Sequence, residues 1–173
     1  MNKVIAKPQL TISEALVEAK GKLLNFKGRS RRSEFWWCSL VAIATCVVLG
    51  WIPFIGFILS LVVGFLMIPL IFRRLHDTGH SGWWYGIVLI IGVVVVGSTV
   101  GPMVAAFSDI ATNPTADSNE LVSGIIQALT NPVSIVSSLV NLILQIIVLV
   151  FCIQDSHVES NKYGDSQKYV IEG

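Results

Sequence analysis

The residues best equipped for chemistry lie in one run, Arg73-Arg74-Leu75-His76-Asp77-Thr78-Gly79-His80-Ser81-Gly82-Trp83-Trp84, which interrupts an otherwise apolar stretch from Phe35 to about Phe107. His76 and His80 are four apart with Asp77 beside the first, a spacing that on a continuous helix turns both imidazoles to one face, as a zinc site requires. Gly79 and Gly82 oppose a continuous helix, however, and no Glu directly follows His76 to serve as the base of a zinc hydrolase. Asp77, His80 and Ser81 also have the residue types of a nucleophilic triad. Groups so close in sequence rarely reach triad geometry, and no oxyanion donors can be identified. A structural use is open as well: Asp77 and Thr78 as turn and capping acceptors, the glycines as turn positions, and Asp77 as counter-charge to an arginine.

A second cationic run widens the choice. Lys27-Gly28-Arg29-Ser30-Arg31-Arg32-Ser33-Glu34-Phe35-Trp36-Trp37 leads straight into apolar sequence, a pattern that serves as topology signal and anchor even when it binds nothing specific. Near a membrane surface each Lys or Arg holds anionic headgroups at roughly 1 kcal/mol, and indole rings settle at the interface. The candidate binding residues are therefore Arg29, Arg31, Arg32, Arg73 and Arg74, with His76, Asp77 and His80 beside them and Trp36, Trp37, Trp83 and Trp84 setting depth. They would serve an anionic headgroup or a partner protein. No catalytic residue, metal ligand or cofactor is assigned.

The elements that must position these residues follow from composition. With 53% hydrophobic and 13% charged residues in 173, the chain reads as a membrane protein. Thr11-Ile12-Ser13-Glu14 forms a capping box that starts an amphipathic helix running to about Leu24, to lie on the membrane or pack on the protein. Four apolar segments follow, Phe35 to Trp51, Pro53 to Phe72, Trp83 to about Phe107 and Val133 to Ile153, each able to cross a hydrocarbon core of about 30 Å. Pro69 should kink the second, and Gly101-Pro102 bend or end the third. Residues 108–132, with Asp109, Asn113, Pro114, Asp117, Asn119 and Glu120 and no Lys or Arg, read as an exposed loop holding a short helix over Leu121 to Leu129. Cys38, Cys46 and Cys152 read as free, buried thiols. Met1 to Leu10 has neither the apolar run nor the cleavage site of a signal peptide.

Every Lys and Arg falls in the N-terminal region, the island or the tail, so the positive-inside rule puts both termini and the island in the cytoplasm. A tight turn at Pro53 then levels the start of the first span with the end of the second. The two basic clusters meet there, with Glu34 and Asp77 turned inward as counter-charges. In the membrane interior, Asn141 and Gln145 make a polar stripe suited to hydrogen-bonding a neighbouring helix.

The two runs quoted above, with the tail residues Asn161, Tyr163 and Gly164, resemble the signature of a bacterial inner-membrane family catalogued as domain of unknown function 805, over roughly residues 20 to 165. The acidic 108–132 loop and the lack of a proline after Gly164 depart from that pattern. The resemblance implies a small helical inner-membrane protein with no assigned activity.

Together these readings predict an all-α, polytopic helical membrane protein with four transmembrane helices and an N-terminal amphipathic helix. Residues 1–34 form a cytoplasmic amphipathic and basic segment, 35–153 the transmembrane domain and 154–173 a cytoplasmic tail. The expected role is a binding or scaffolding component of the inner membrane, not an enzyme. Its expected partners are membrane lipids, anionic ones among them, and a second copy or another membrane protein; no nucleic acid is expected, because no recognition helix or aromatic platform accompanies the basic run. The alternatives are an oligomeric small-solute channel or transporter component, and a membrane-embedded metal-dependent enzyme using the His76/Asp77/His80 loop.

Overall fold

The structure is a computed structural model and describes residues 3–112 and 118–172. Asn113, Pro114 and Asp117 of the acidic segment lie outside the described residues. In chain order the elements are β1 (Lys3–Ala6), α1 (Ile12–Lys20), α2 (Arg32–Leu49), α3 (Ile55–Asp77), α4 (Trp83–Thr112), α5 (Ser118–Thr130), α6 (Pro132–Ile153) and β2 (Tyr169–Glu172). Four of the helices, α2, α3, α4 and α6, are long and apolar enough to cross a membrane. This is an all-α polytopic membrane fold.

Burial is inverted relative to a water-soluble domain. Val48, Ile43 and Val93 are 67%, 63% and 72% exposed, whereas Arg29, Glu34, Arg73, Arg74 and Asp77 are all at 1% or less. Apolar side chains at that exposure need a hydrocarbon solvent, and charges so deeply buried need one another. Trp51 and Phe54, 86% and 81% exposed at the far end of α2, add the aromatic residues expected at an interface.

The chain divides into two compact units, Met1–Trp83 with Val148–Gly173, and Trp84–Ile147. In the first unit, α1 opens on the expected capping box: the Glu14 amide donates to Thr11 Oγ1 and the Thr11 amide to the Glu14 carboxylate at 2.8 Å, bonds that pull the Glu14 pKa below its usual value. The helix ends at Lys20 and not near Leu24, because Gly21 caps it and residues 21–24 continue as turns. Ala15 is fully buried while Val17 is 72% exposed, so α1 packs one narrow edge on α2 and leaves apolar surface outward.

A tight turn joins α2 to α3 as expected, and it explains two residues. Phe54 takes a left-handed φ of 64°, and a Cβ on Gly56 would fall 1.9 Å from the Leu49 carbonyl oxygen. Helix α3 continues five residues past Phe72, through Pro69, so the first half of the polar island is helical and only Thr78 to Gly82 form the loop.

In the second unit, α4 runs through Gly101-Pro102 to Thr112 instead of ending near Phe107. A proline removes one backbone donor, which a helix in an apolar surrounding tolerates where local adjustments re-satisfy the freed carbonyl. Helix α5 packs against α4 where Gly124 meets Ala106, and Asn141 of α6 donates to the Val88 carbonyl at 3.3 Å while accepting from Gln145 Nε2 at 2.8 Å. That polar pair is thus engaged between helices.

The two strands were not legible as such in the sequence reading. β1 pairs antiparallel with β2, Lys3 opposite Glu172 through Ala6 opposite Tyr169, which draws the ends of the first unit together.

Candidate functional site

The two basic runs meet where the start of α2 faces the end of α3. The Ser30 amide donates to the Arg73 carbonyl at 3.1 Å, fixing the backbones side by side. Asp77 then receives Arg29 Nε on Oδ1 at 2.9 Å and Arg74 Nη1 on Oδ2 at 2.6 Å, with the Ser156 hydroxyl donating to Oδ2 from the tail. All four side chains are buried. The remaining guanidinium donors find carbonyls: Arg29 reaches Glu159 at 2.9 Å, Gly164 at 3.3 Å and His157 at 2.5 Å, while Arg74 reaches Cys152 at 3.1 Å, Ser30 at 3.3 Å and Gln154. This cluster is a clamp joining α2, α3 and the tail.

Arg29, Arg73 and Arg74, read from the sequence as phosphate-holding cations, are therefore internal. The reason is physical: an arginine that loses water must replace it with carboxylates and carbonyls, and Arg29 and Arg74 have done so within the chain, while Arg73 has the Glu34 carboxylate beside it. Glu34, fully buried, pairs with Arg73 at 3.5 Å and accepts from Ser30 Oγ at 2.7 Å. Both carboxylates are turned inward, as the sequence suggested.

The two histidines part company. α3 ends at Asp77, so no continuous helix carries both. His76 stacks on Tyr163 with ring centroids 3.7 Å apart and places Nδ1 3.2 Å from the Gly28 carbonyl, where only the protonated nitrogen donates. Asn161 Nδ2 donates to the His76 carbonyl at 2.9 Å. Asn161 and Tyr163 of the tail thus lock onto the island, while Gly164 accepts from Arg29 of the first basic run. His80 stacks on Phe151, also at 3.7 Å, and burial pushes its pKa below the ordinary histidine value, opposed by the hydrogen bond its ring donates to Thr78, with nearby His157 adding to the lowering. Among the described residues no three His, Cys, Asp or Glu side chains come together as a metal set.

A different group of cations faces outward. Residues Pro8 to Leu10 are strapped across the first turns of α2: Arg31 Nη1 donates to the Pro8 carbonyl at 3.1 Å, Trp37 Nε1 to the Leu10 carbonyl at 2.9 Å, and the Leu10 amide to Ser33 Oγ at 3.3 Å. The Lys7 amide donates to the Lys168 carbonyl at 2.8 Å, continuing the β1–β2 pairing. Beside these contacts lies a half-open cavity of about 490 Å³ whose lining includes the cations Lys7, Arg31, Arg32 and Lys168 and the apolar side chains of Trp36, Trp37 and Leu40. That volume is in the range of small-ligand sites.

Its cations differ in availability. Lys168 holds Asp155 with both carboxylate oxygens at 2.6 Å, and Tyr169 adds a bond at 3.2 Å. Partial burial opposes both charges, yet these bonds win, lowering the Asp155 pKa and raising that of Lys168. Arg31 lies 3.8 Å from Glu18. Among the described residues neither Lys7 nor Arg32 has an ion-pair partner. No side chain caps the α2 N-terminus, and Glu34 lies in its first turn.

Of the residues proposed from sequence, the structure brings Arg31, Arg32, Trp36 and Trp37 to this cavity, and Arg29, Arg73, Arg74, His76 and Asp77 to the clamp. Trp83 is 69% exposed at the start of α4, and Trp84 belongs to the second unit. Lys7 and Lys168 were missed. The available signal was the β-branched pairs Val4-Ile5 and Val170-Ile171, which favour strands and whose pairing carries the two lysines together.

Comparison with known proteins agrees with the fold and with the signature. The inner membrane protein YhaH of Escherichia coli K12 is 37% identical, the match covering 42% of this chain and 72% of the relative, and YhaH of Escherichia coli O157:H7 matches to the same extent. No solved structure matches. Residues 23–165, which include every clamp side chain described above, match the family described as protein of unknown function, DUF805; the chain is a member of that family.

Proposed function

We propose that the protein is a multi-pass bacterial inner-membrane component, with both termini in the cytoplasm, that binds an anionic headgroup at its cytoplasmic surface and acts by binding or scaffolding, not by catalysis. The observation that carries this reading is the 490 Å³ cavity, whose lining holds Lys7 and Arg32, both without an ion-pair partner among the described residues, together with Arg31, Lys168, two tryptophans and a leucine. Phosphate-bearing groups fit that chemistry: lysine and arginine hold the charge while the indoles anchor the site at the membrane interface. The buried clamp supports the scaffolding part, since its arginines hold the tail against the helices, and Lys7 and Arg32, which have no ion-pair partner among the described residues, are left to face a ligand. The orientation rests on the Lys and Arg distribution and on the naming of both YhaH relatives as inner membrane proteins.

The test is the lipid retained by the purified protein, measured by native mass spectrometry at low salt, where charge effects are largest. Anionic lipid should be enriched over zwitterionic lipid on the wild type, and Lys7→Gln with Arg32→Gln should remove the enrichment. Equal retention of both lipid classes by the wild type sinks the headgroup reading. Orientation is checked separately by reporters after Gly173 and at Asn113, which should report opposite sides of the membrane.

A further inference from the structure

We infer that the ligand of this cavity is a whole anionic glycerophospholipid, its phosphate at the cationic rim and one acyl chain lying along α2 in a groove between α2 and α3. This deepens the proposed function and rests on the cavity being a headgroup site. The second observation is an independent one, an apolar cavity of about 500 Å³ formed by Ala42, Ile43, Cys46 and Val47 of α2 with Val63 and Gly64 of α3. One exposed stripe of α2 joins the two spaces: Trp36 and Leu40 line the first, Ile43 and Val47 the second, and the spacing 36, 40, 43, 47 keeps them on one helix face. At 1.5 Å per residue the stripe is roughly 16 Å long, running from the charged end of α2 toward the middle of the span.

The two ends have opposite chemistry in the right order. Charge gathers at the level of Trp36 and Trp37, where a headgroup lies, and disappears below Leu40, where hydrocarbon begins. Gly64 borders open space in the lower groove, since a Cβ there would meet nothing within 4 Å, so a larger side chain has room to occupy it. A free phosphate or a soluble anion would use the upper cavity alone, and a neighbouring helix would use the lower groove alone. An anionic phospholipid uses both.

The full chain is reconstituted in nanodiscs and its retained lipid counted by native mass spectrometry, with phosphatidylglycerol as the lipid probe and glycerol phosphate as the headgroup-only probe. The wild type should keep one phosphatidylglycerol through delipidation. Gly64→Leu with Ala42→Leu, which fills the groove, should cut that retention by about tenfold, the loss of one or two buried methylene contacts, while glycerol phosphate binding stays at the wild-type level. Lys7→Gln with Arg32→Gln should weaken both probes. Wild-type retention by the groove variant, together with weakened binding by the lysine-arginine variant, overturns the chain site and leaves the headgroup reading standing. Unchanged binding of both probes by the lysine-arginine variant overturns both. A second protein chain copurifying on the groove in place of lipid overturns the lipid assignment.

Discussion

Asp77 and Glu34 are both carboxylates turned inward beside arginines of the same signature, yet their surroundings differ in completeness. Asp77 accepts from Arg29, Arg74 and Ser156, and those arginines place their other donors on backbone carbonyls. Around Glu34 the pairing is loose: Arg73 approaches only to 3.5 Å, and Arg73 Nε and Nη1 and Glu34 Oε1 have no hydrogen-bond partner. A buried charge stabilises only when its partners replace the water it lost. The first pair holds the fold; the second is the weaker joint between α2 and α3.

The largest test of that contrast is Asp77→Asn. It leaves two buried arginines with one carboxylate fewer, and should cost about 3–5 kcal/mol, read as a lower thermal midpoint in detergent and lower abundance in the membrane. A midpoint equal to wild type would show that the carbonyls alone hold Arg29 and Arg74. Next in size, Glu34→Gln with Arg73→Met should stay within about 1 kcal/mol of wild type, because a poorly satisfied ion pair is replaced by a neutral one of similar volume. A loss as large as that of Asp77→Asn would erase the distinction between the two sites.

The smallest effects concern charges outside the spans. His80 has a lowered pKa in the fold, so the unfolded chain takes up more protons as pH falls below about 6.5. Stability is therefore full above that pH and is lost as pH falls through the folded value. His80→Phe, which keeps a ring on Phe151, should flatten that part of the stability profile measured between pH 7.5 and 5. Asp155 also has a lowered pKa, so its contribution is full above the ordinary aspartate range and is lost only at lower pH, as pH falls through its folded value. Asp155→Asn should remove that acid limb and at neutral pH cost at most about 1 kcal/mol, since Lys168–Asp155 is a half-exposed pair.

Much of this fold could be read from residue order because lipid leaves few choices. Long apolar runs must be helices, so the four spans, the turn at Pro53 and the capping box at Thr11 were legible. Their ends were less so: α3 takes Arg74 and Asp77 into the helix because the clamp satisfies those charges, and nothing local in the sequence announces partners more than 75 residues away. The same limit applies to the site. Arginine beside tryptophan marked the region where the two basic runs meet, but which arginines face inward depends on tail carbonyls at His157, Glu159 and Gly164, and a carbonyl leaves no mark on sequence. Lys7 and Lys168 became neighbours only through two four-residue strands at opposite ends of the chain.

That dependence on the tail has a consequence in time. Synthesis runs from the N-terminus, and Arg29 waits for the Glu159 carbonyl 130 residues downstream. While the helices insert, the signature has its arginines and Asp77 but lacks Ser156 and the tail carbonyls. β1 likewise waits for β2 before Lys7 and Lys168 can meet. The cavity that Lys7 and Lys168 line is therefore the last part of the first unit to exist, and its completion reports that the four spanning helices have already been made.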